Sequence, residues 1–114
     1  MLLGAVLELR YYVDEDGRDH FGRWFAGLDS SVRAKVAVAL ARLEQGDLSS
    51  IKSVGAGVLE YRIDFGPGYR VYPGRDGDVL LILLTGGTTQ RQRRDIETAT
   101  RFWDAYKRRK RAGR

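Results

Sequence analysis

With 114 residues, the chain is long enough to bury one hydrophobic core but not two, so we expect a single domain over residues 1–114. It contains no cysteine, which excludes disulfides, thiolate metal sites and a cysteine nucleophile. No apolar run approaches the length of a membrane span, and the first residues lack the basic segment of a signal peptide. We therefore expect a cytoplasmic protein with no membrane partner.

The net charge of +5 is concentrated in the second half of the chain. Residues 58–114 hold 13 Lys and Arg against 7 Asp and Glu, whereas residues 1–57 hold 7 against 8. Arginine supplies 16 of the 20 basic residues, and its guanidinium binds phosphate in a two-point geometry. The charge points to a nucleic-acid partner, but a basic protein without such a partner explains it equally well.

The first half of the chain predicts one strand followed by two helices. Apolar and polar residues alternate over residues 5–13, which is the period of a strand with one buried face. The next large apolar residues have the spacing of a short amphipathic helix: Phe21, Trp24, Phe25 and Leu28. A second helix is predicted to start at Asp29 or Ser30, either of which can cap it, and to stop at Gly46. Residues 47–57 are predicted to form a loop.

A hairpin with an arginine on each arm follows the predicted loop. Residues 58–65 alternate between apolar and polar, residues 66–68 (Gly-Pro-Gly) supply a turn, and a second alternation begins at Tyr69. Arg62 lies on the polar side of the first arm and Arg70 on that of the second. Whether the two arginines share a face depends on the register of the turn, which the sequence leaves open. We expect that they do.

The rest of the chain predicts a strand and a helix. A turn is predicted at residues 73–78, a strand buried on both faces at 79–84, a small-residue loop at 85–89, and a helix from Gln90 onwards. The basic tail at 107–114 is expected to fray. The predicted fold class is α+β, an antiparallel sheet with helices on one face, in the order β-α-α-β-β-β-α.

The sequence contains no standard catalytic set. Its single histidine, His20, is expected to lie at the surface, and no spacing suits a zinc or calcium site. Cations and phenols remain as candidates: Lys52, Arg62, Tyr69, Arg70, Tyr72, Arg91, Arg93 and Arg94. Each of them alone is explained as a solvated charge or a partly buried ring. Together, without carboxylates or a metal, they suit the binding or cleavage of a phosphodiester.

An ordered signature extends over nearly the whole chain. Its parts are Asp16-Gly17, residues 24–29, residues 52–55, residues 59–72, residues 83–87, Gln92, Asp95-Ile96 and Ala99. This signature resembles the addiction-module killer proteins, which are HigB-like toxins of the RelE/ParE type II toxin superfamily. The specific part of the resemblance is the segment Glu-x-Arg…Phe-Gly-Pro-Gly-Tyr-Arg-Val-Tyr between Glu60 and Tyr72.

The resemblance implies a RelE-like fold and a toxin that inhibits translation by cutting mRNA, often on the ribosome. It implies no metal and no other cofactor. A cognate antitoxin, expected to be a helix-turn-helix protein from the adjacent gene, would silence the toxin. In such toxins the ribose 2′-hydroxyl attacks the neighbouring phosphate, which leaves a cyclic phosphate and a free 5′-hydroxyl.

Matched position by position, the resemblance assigns catalytic roles to Arg62, Arg70 and Lys52. The two arginines would hold the negative charge of the phosphorane. Lys52 would stabilise the same charge or, if desolvated, take the 2′ proton. Tyr72 would stack on a base or hydrogen-bond the phosphate. The other residues expected to contact RNA are Tyr69, Thr88, Thr89, Arg91 and Arg94.

The chain departs from the family pattern directly after its glycine pair. Members of the family usually carry Asp-Lys there, and this sequence has Thr88-Thr89. One cation is missing as a result, and whether Arg91 replaces it stays open. Two alternatives also stay open, because fold does not decide function. One is a non-catalytic toxin of the ParE branch that poisons DNA gyrase through a protein interface; the other is a degenerate module that keeps only antitoxin binding.

Overall fold

The structure, a computed structural model, describes residues 6–113. Its elements in chain order are β1 (Glu8–Tyr11), α1 (His20–Ala26), α2 (Ser30–Glu44), β2 (Ile51–Gly55), β3 (Val58–Ile63), β4 (Tyr69–Asp76), β5 (Leu80–Thr88), a 3-10 turn (Thr89–Arg91) and α3 (Gln92–Ala112). The predicted α+β class is confirmed. Ala5, at the start of the predicted first strand, and Arg114, at the end of the predicted tail, lie outside the described residues.

The described strands form one mixed sheet in the order β1-β5-β4-β3-β2. The prediction of a wholly antiparallel sheet is wrong for β1, which pairs in parallel with β5. The predicted order also missed β2, because residues 47–57 show no clear alternation. Strand β2 forms the edge of the sheet and pairs with β3 through Ile51 opposite Tyr61 and Lys52 opposite Glu60. Backbone pairing with β3 therefore supports a strand that the side-chain pattern does not reveal.

Helices cover both faces of the sheet, so the prediction of helices on one face is wrong. We call these the α1/α2 face and the α3 face. The core on the α1/α2 face includes Val36, Leu43, Tyr61, Val71 and Leu83. The core on the α3 face includes Val58, Tyr72, Ile82, Leu84 and Trp103. Strands β4 and β5 contribute to both cores, which explains the unbroken apolar run predicted for β5.

The predicted hairpin is confirmed, and its second arm is longer than expected. The turn contains Gly66 (φ 57°) and Gly68 (φ 92°), a left-handed backbone that glycine adopts without strain. Strand β4 then continues to Asp76, so the predicted turn at 73–78 is wrong over its first residues. Pro73 is tolerated inside β4 because the register with β5 shifts between Tyr72 and Pro73.

The glycine pair lies in β5 and not in the predicted loop at 85–89. A Cβ atom on Gly86 would collide with Trp24 of α1, and one on Gly87 would collide with the Asp95 carboxylate of α3. The two glycines therefore let side chains from both helical layers approach the same strand. The pair is a packing feature, and it places the start of α3 against the sheet.

The basic tail is helical through Ala112, so the prediction that it frays is wrong for the part that the structure describes. Arg109 Nη1 donates to Val13 O at 2.8 Å, and Lys110 Nζ lies 2.7 Å from Asp76 Oδ2. These contacts attach the last turns of α3 to the β1–α1 loop and to the end of β4. None of the helices within residues 6–113 is long and apolar enough to cross a membrane.

Candidate functional site

Arg62 and Arg70 share a face, as predicted, because they are direct cross-strand partners in the β3–β4 hairpin. Their surroundings differ. The Arg62 side chain is 56% exposed, and its Nε lies 3.5 Å from Asp64 Oδ1. The Arg70 side chain is only 14% exposed, and its Nη1 lies 3.5 Å from Glu60 Oε1. One arginine is therefore free to move in solvent, while the other is held against the sheet.

Lys52 joins the two arginines from strand β2. It is the cross-strand partner of Glu60, which lies two residues from Arg62 and on the same face of β3. The Lys52 side chain is 67% exposed, with its Nζ 3.7 Å from Glu60 Oε1. The condition attached to a general-base role, that Lys52 be desolvated, is not met. Beside Lys52, Glu60 and Arg62 there is a cavity of about 150 Å³.

Glu60 is the residue that the sequence analysis missed. Its side chain is 1% exposed, although it lies among the predicted catalytic cations. Its Oε2 accepts hydrogen bonds from Tyr72 Oη at 3.2 Å and from Gln92 Nε2 at 2.7 Å. The Glu-x-Arg spacing was a usable signal, since it places a carboxylate on the same strand face as Arg62. We call Lys52, Glu60, Arg62 and Arg70 the hairpin patch.

Tyr72 does not lie where a base could stack on it. The residue is 0% exposed in the core under α3, so the stacking role predicted for it does not fit the structure. Burial, and then the charge of the neighbouring Glu60, raise the pKa of the Tyr72 hydroxyl above its ordinary value. The hydroxyl therefore stays protonated and donates to Glu60, which makes Tyr72 part of the support beneath the hairpin patch.

Tyr69 and Thr88 lie on the other face of the sheet. They are cross-strand partners, and Tyr69 packs against the core of the α1/α2 face. Because side chains alternate along a strand, Tyr69 points away from its neighbour Arg70. Neither Tyr69 nor Thr88 is brought together with the hairpin patch, contrary to the RNA contacts predicted for both.

Thr89, Arg91, Arg93 and Arg94 are exposed at the beginning of α3. The backbone N–H of Thr89 donates to Gly68 O at 3.2 Å, which holds this segment against the hairpin turn. From the next turn of the helix, Gln92 reaches Glu60. The predicted RNA-contacting residue Thr89 therefore lies beside the hairpin turn. Arg91 and Arg94 lie at the start of the helix, where together with Arg93 they form a second row of cations around a separate cleft.

Asp95 lies beneath this second row, with 8% of its side chain exposed. Arg91 Nη2 lies 3.9 Å from Asp95 Oδ1, and Oδ2 has no hydrogen-bond partner within the described residues. Burial raises the pKa of the Asp95 carboxyl, and the nearby Arg91 and Arg94 oppose that shift. The carboxyl packs against Gly87, the partner of Arg70 on β5, so it lines the site from the helix side.

His20 lies at the other end of α3 and takes no part in the hairpin patch. Its ring stacks on Phe102, with the ring centres 4.4 Å apart, and its Nε2 lies 2.7 Å from Asp14 Oδ2. The His20 side chain is 28% exposed, so the expected surface histidine is a partly exposed one that packs against α3. Over residues 6–113, no group of His, Cys, Asp and Glu side chains is arranged to hold a metal ion.

The hairpin patch suits the binding of a phosphodiester more than acid–base work on a neutral substrate. Lys52 and Arg70 lie beside the buried Glu60 carboxylate, and Arg62 lies beside Asp64, so three cations face two carboxylates and the net charge stays positive. Arginine donors on a rigid hairpin can meet phosphate oxygens in a fixed geometry. Lys52 and Arg62 are both more than half exposed, so these two cations are accessible to a phosphate from solvent.

Comparison with known proteins identifies one relative, whose description names no activity. No protein-family model matches the chain. A protein of Haemophilus influenzae (strain Rd), described as an uncharacterized protein, is 42% identical to this chain over 80 residues. The aligned region covers 69% of this chain and 81% of the relative. The chain therefore belongs to the same protein family as this Haemophilus influenzae protein.

Proposed function

We propose that the protein is the toxin of a type II toxin–antitoxin module, with a RelE-like fold, and that it inhibits translation in the cytoplasm by cutting mRNA without a metal. One observation carries the proposal: Lys52, Arg62 and Arg70 come from three adjacent strands to one open face of the sheet. The resemblance of residues 59–72 to HigB-like killer proteins adds the reaction class to that geometry.

Arg70 suits the role of the preorganised cation. Its side chain is 14% exposed and held near Glu60, so little rearrangement is needed when negative charge develops on a phosphorane oxygen. Arg62 is more exposed and suits the capture of the incoming backbone. Lys52, which stays solvated, supplies a point charge to the same oxygens and does not act as a desolvated base.

The reaction needs two proton transfers. The enzyme or solvent accepts the proton of the 2′-hydroxyl and supplies a proton to the leaving 5′-oxygen. The 2′-oxygen forms a bond to phosphorus as it loses its proton, and the bond from phosphorus to the 5′-oxygen breaks. The leaving 5′-oxygen takes up a proton to become a hydroxyl, and the phosphate is left as a 2′,3′-cyclic ester. The three cations of the hairpin patch stabilise the dianionic phosphorane between these two steps.

The proposed partners follow from the same surface. mRNA and the ribosome would face the hairpin patch and the cations Arg91 and Arg94. A cognate antitoxin, proposed to be a helix-turn-helix protein from the adjacent gene, would carry an acidic or apolar segment that covers the patch. Co-expression with the neighbouring gene product is expected to give a stable complex and to abolish toxicity.

The test is induction of the protein in cells, followed by mapping of mRNA 5′ ends. New ends that carry a 5′-hydroxyl, together with growth arrest, are the expected result. Growth arrest without new RNA ends but with inhibited DNA supercoiling would replace the proposal with the gyrase-poisoning alternative. Free growth on expression of the protein alone would leave the degenerate, antitoxin-binding module.

A further inference from the structure

Glu60 holds its two oxygens in unlike surroundings. Oε2 accepts from Gln92 Nε2 at 2.7 Å and from Tyr72 Oη at 3.2 Å, which fix it to α3 and to β4. Oε1 faces Arg70 Nη1 at 3.5 Å and Lys52 Nζ at 3.7 Å. Charge-assisted hydrogen bonds between nitrogen and carboxylate are usually about 2.7–2.9 Å long. The carboxylate is therefore anchored on one side and only loosely engaged with the two cations on the other.

Arg70 provides a second, independent observation. Its Nε is buried and has no hydrogen-bond partner anywhere in the described part of the chain. A buried donor without an acceptor costs free energy in the resting protein. A substrate oxygen that accepted a hydrogen bond from Arg70 Nε would remove this free-energy cost. Arg70 therefore has a free donor for an acceptor that Glu60 does not supply.

We propose that Glu60 is a positioning residue and a temporary counter-anion for the substrate phosphate, an inference that rests on the proposed function. In the RNA-free protein its Oε1 holds Lys52 and Arg70 at the place where a phosphodiester is to bind. When RNA binds, the phosphate oxygens take over Lys52 and bind the free donors of Arg70, while Glu60 Oε1 stays beside Arg70 Nη1 and keeps that side chain aligned. Glu60 itself stays buried and does not touch the reacting atoms.

The electrostatic consequence separates this role from a purely structural one. Replacing the carboxylate by an amide removes a negative charge that competes with phosphate for Lys52 and Arg70. RNA should therefore bind more tightly. The same change releases Arg70 from its alignment, so the chemical step should become slower. A residue that only fastened α3 to the sheet would instead lower binding and cleavage together, in proportion to the loss of folded protein.

The experiment compares Glu60→Gln with Asp104→Asn, which also removes one ion-paired carboxylate but lies on α3, 3.9 Å from Lys107. Binding is measured with a fluorescent RNA whose cleaved position carries a 2′-deoxyribose, and the chemical step is measured by single-turnover cleavage of the matching ribose RNA on ribosomes. For Glu60→Gln we expect severalfold tighter binding and cleavage slower by about 10- to 100-fold. Asp104→Asn should change neither. Thermal melting fixes the folded fraction of each variant.

Unchanged cleavage in Glu60→Gln, or losses of binding and cleavage that match its unfolded fraction, would overturn the positioning role. If Glu60→Gln does not fold, a measurement on the wild-type protein still tests the inference. Its Arg70 Nε–H signal in NMR should shift when the 2′-deoxy RNA is added, and a signal that does not respond would contradict the inference. This binding measurement needs no cleavage. Failure of the wild-type protein to cut RNA would therefore contradict the proposed function without deciding the inference about Glu60.

Discussion

The two faces of the β3–β4 hairpin are built from alternating residues of the same strands, and they have opposite character. On the α1/α2 face, Tyr61 and Ile63 are buried, and Tyr61 Oη donates to Ala39 O of α2 at 2.9 Å. On the α3 face, α3 covers Tyr72 but leaves Arg62 in solvent. The difference shows that one alternating pattern can supply a closed core and an open cationic site at the same position in the fold.

The α3 face itself changes character along the helix. Under its second half, Trp103 packs so closely on β4 that a Cβ on Gly74 would collide with the indole. At its beginning, Gln92 reaches a buried carboxylate. A single helix therefore anchors the domain at one end and supports the candidate site at the other. Mutations can separate these two roles.

The largest expected effect comes from Arg70→Ala, which should slow RNA cleavage on the order of 10²-fold. It should also destabilise the fold by about 1–3 kcal/mol, because the buried Glu60 loses a charged partner. Arg62→Ala is the matched control on the same face. Because Arg62 is exposed, its loss should slow cleavage to a similar extent but change stability by less than about 0.5 kcal/mol.

Arg70→Lys should rescue cleavage poorly, since the two-point geometry of the guanidinium is lost. Urea denaturation and single-turnover cleavage measure the two effects separately. Cleavage by Arg70→Ala at the wild-type rate would show that Arg70 has no catalytic role. Equal stability losses in Arg62→Ala and Arg70→Ala would show that the two environments do not differ as described.

The closed face is tested by Leu43→Ala. Leu43 is 0% exposed in the core beneath α2, and truncating such a side chain costs about 2–5 kcal/mol. Leu48→Ala is the control, because Leu48 is 39% exposed just after the same helix. The remaining folded Leu43→Ala protein should cleave RNA at the normal rate per folded molecule. A specific loss of catalysis would mean that the two faces are coupled.

A smaller effect is expected from Thr89→Lys, which restores a cation next to the hairpin turn. Thr89 is exposed at the start of the 3-10 turn, so an added positive charge should raise the cleavage rate severalfold without altering stability. Thr88→Lys is the adjacent control. Thr88 pairs with Tyr69 on the opposite face, and its replacement should give no gain. An equal gain from both would indicate a general charge effect.

The smallest effect concerns acid stability at the far end of α3. A backbone hydrogen bond from Arg18 and the His20 side chain lower the pKa of Asp14 to about 2 from its usual 3.8. The ionised Asp14 therefore stabilises the fold above about pH 4, and that contribution disappears as the pH falls towards 2. Asp14→Asn should melt below wild type at pH 7 and converge with it near pH 2. Glu15→Gln, in the same loop, should show no such convergence.

The sequence predicts best where a pattern is long and local. The alternation around Arg62 and Arg70 predicted the hairpin, and the helical spacings predicted α1, α2 and α3. The shared face of the two arginines was an expectation that the alternation left open and the strand register confirmed. Prediction from the sequence failed where tertiary contacts determine the local structure. Strand β2 depends on pairing with β3, Pro73 depends on a register shift, and Gly86 and Gly87 serve packing that only the assembled helices reveal.

The cations of the candidate site could be predicted from the sequence, but the buried residues that hold them in place could not. Lys52, Arg62 and Arg70 stand out as charges, and their strands bring them together. The burial of Glu60 and Tyr72 follows from the position of α3 and could not be inferred from alternation, which marks a polar face without saying what covers it. The opposite direction of Tyr69 and Thr88 likewise follows from strand pairing.

The measurement that tests the central claim most directly is cleavage of ribosome-bound mRNA by the purified protein, with chemical identification of the new ends. The account predicts a 2′,3′-cyclic phosphate and a 5′-hydroxyl, at a rate that does not change between magnesium-matched buffers with and without an added transition metal. A 2′-deoxy substitution at the cleaved position should abolish the reaction. No cleavage of ribose RNA by folded wild-type protein, together with inhibition of gyrase supercoiling, would contradict the claim that the hairpin patch cuts RNA.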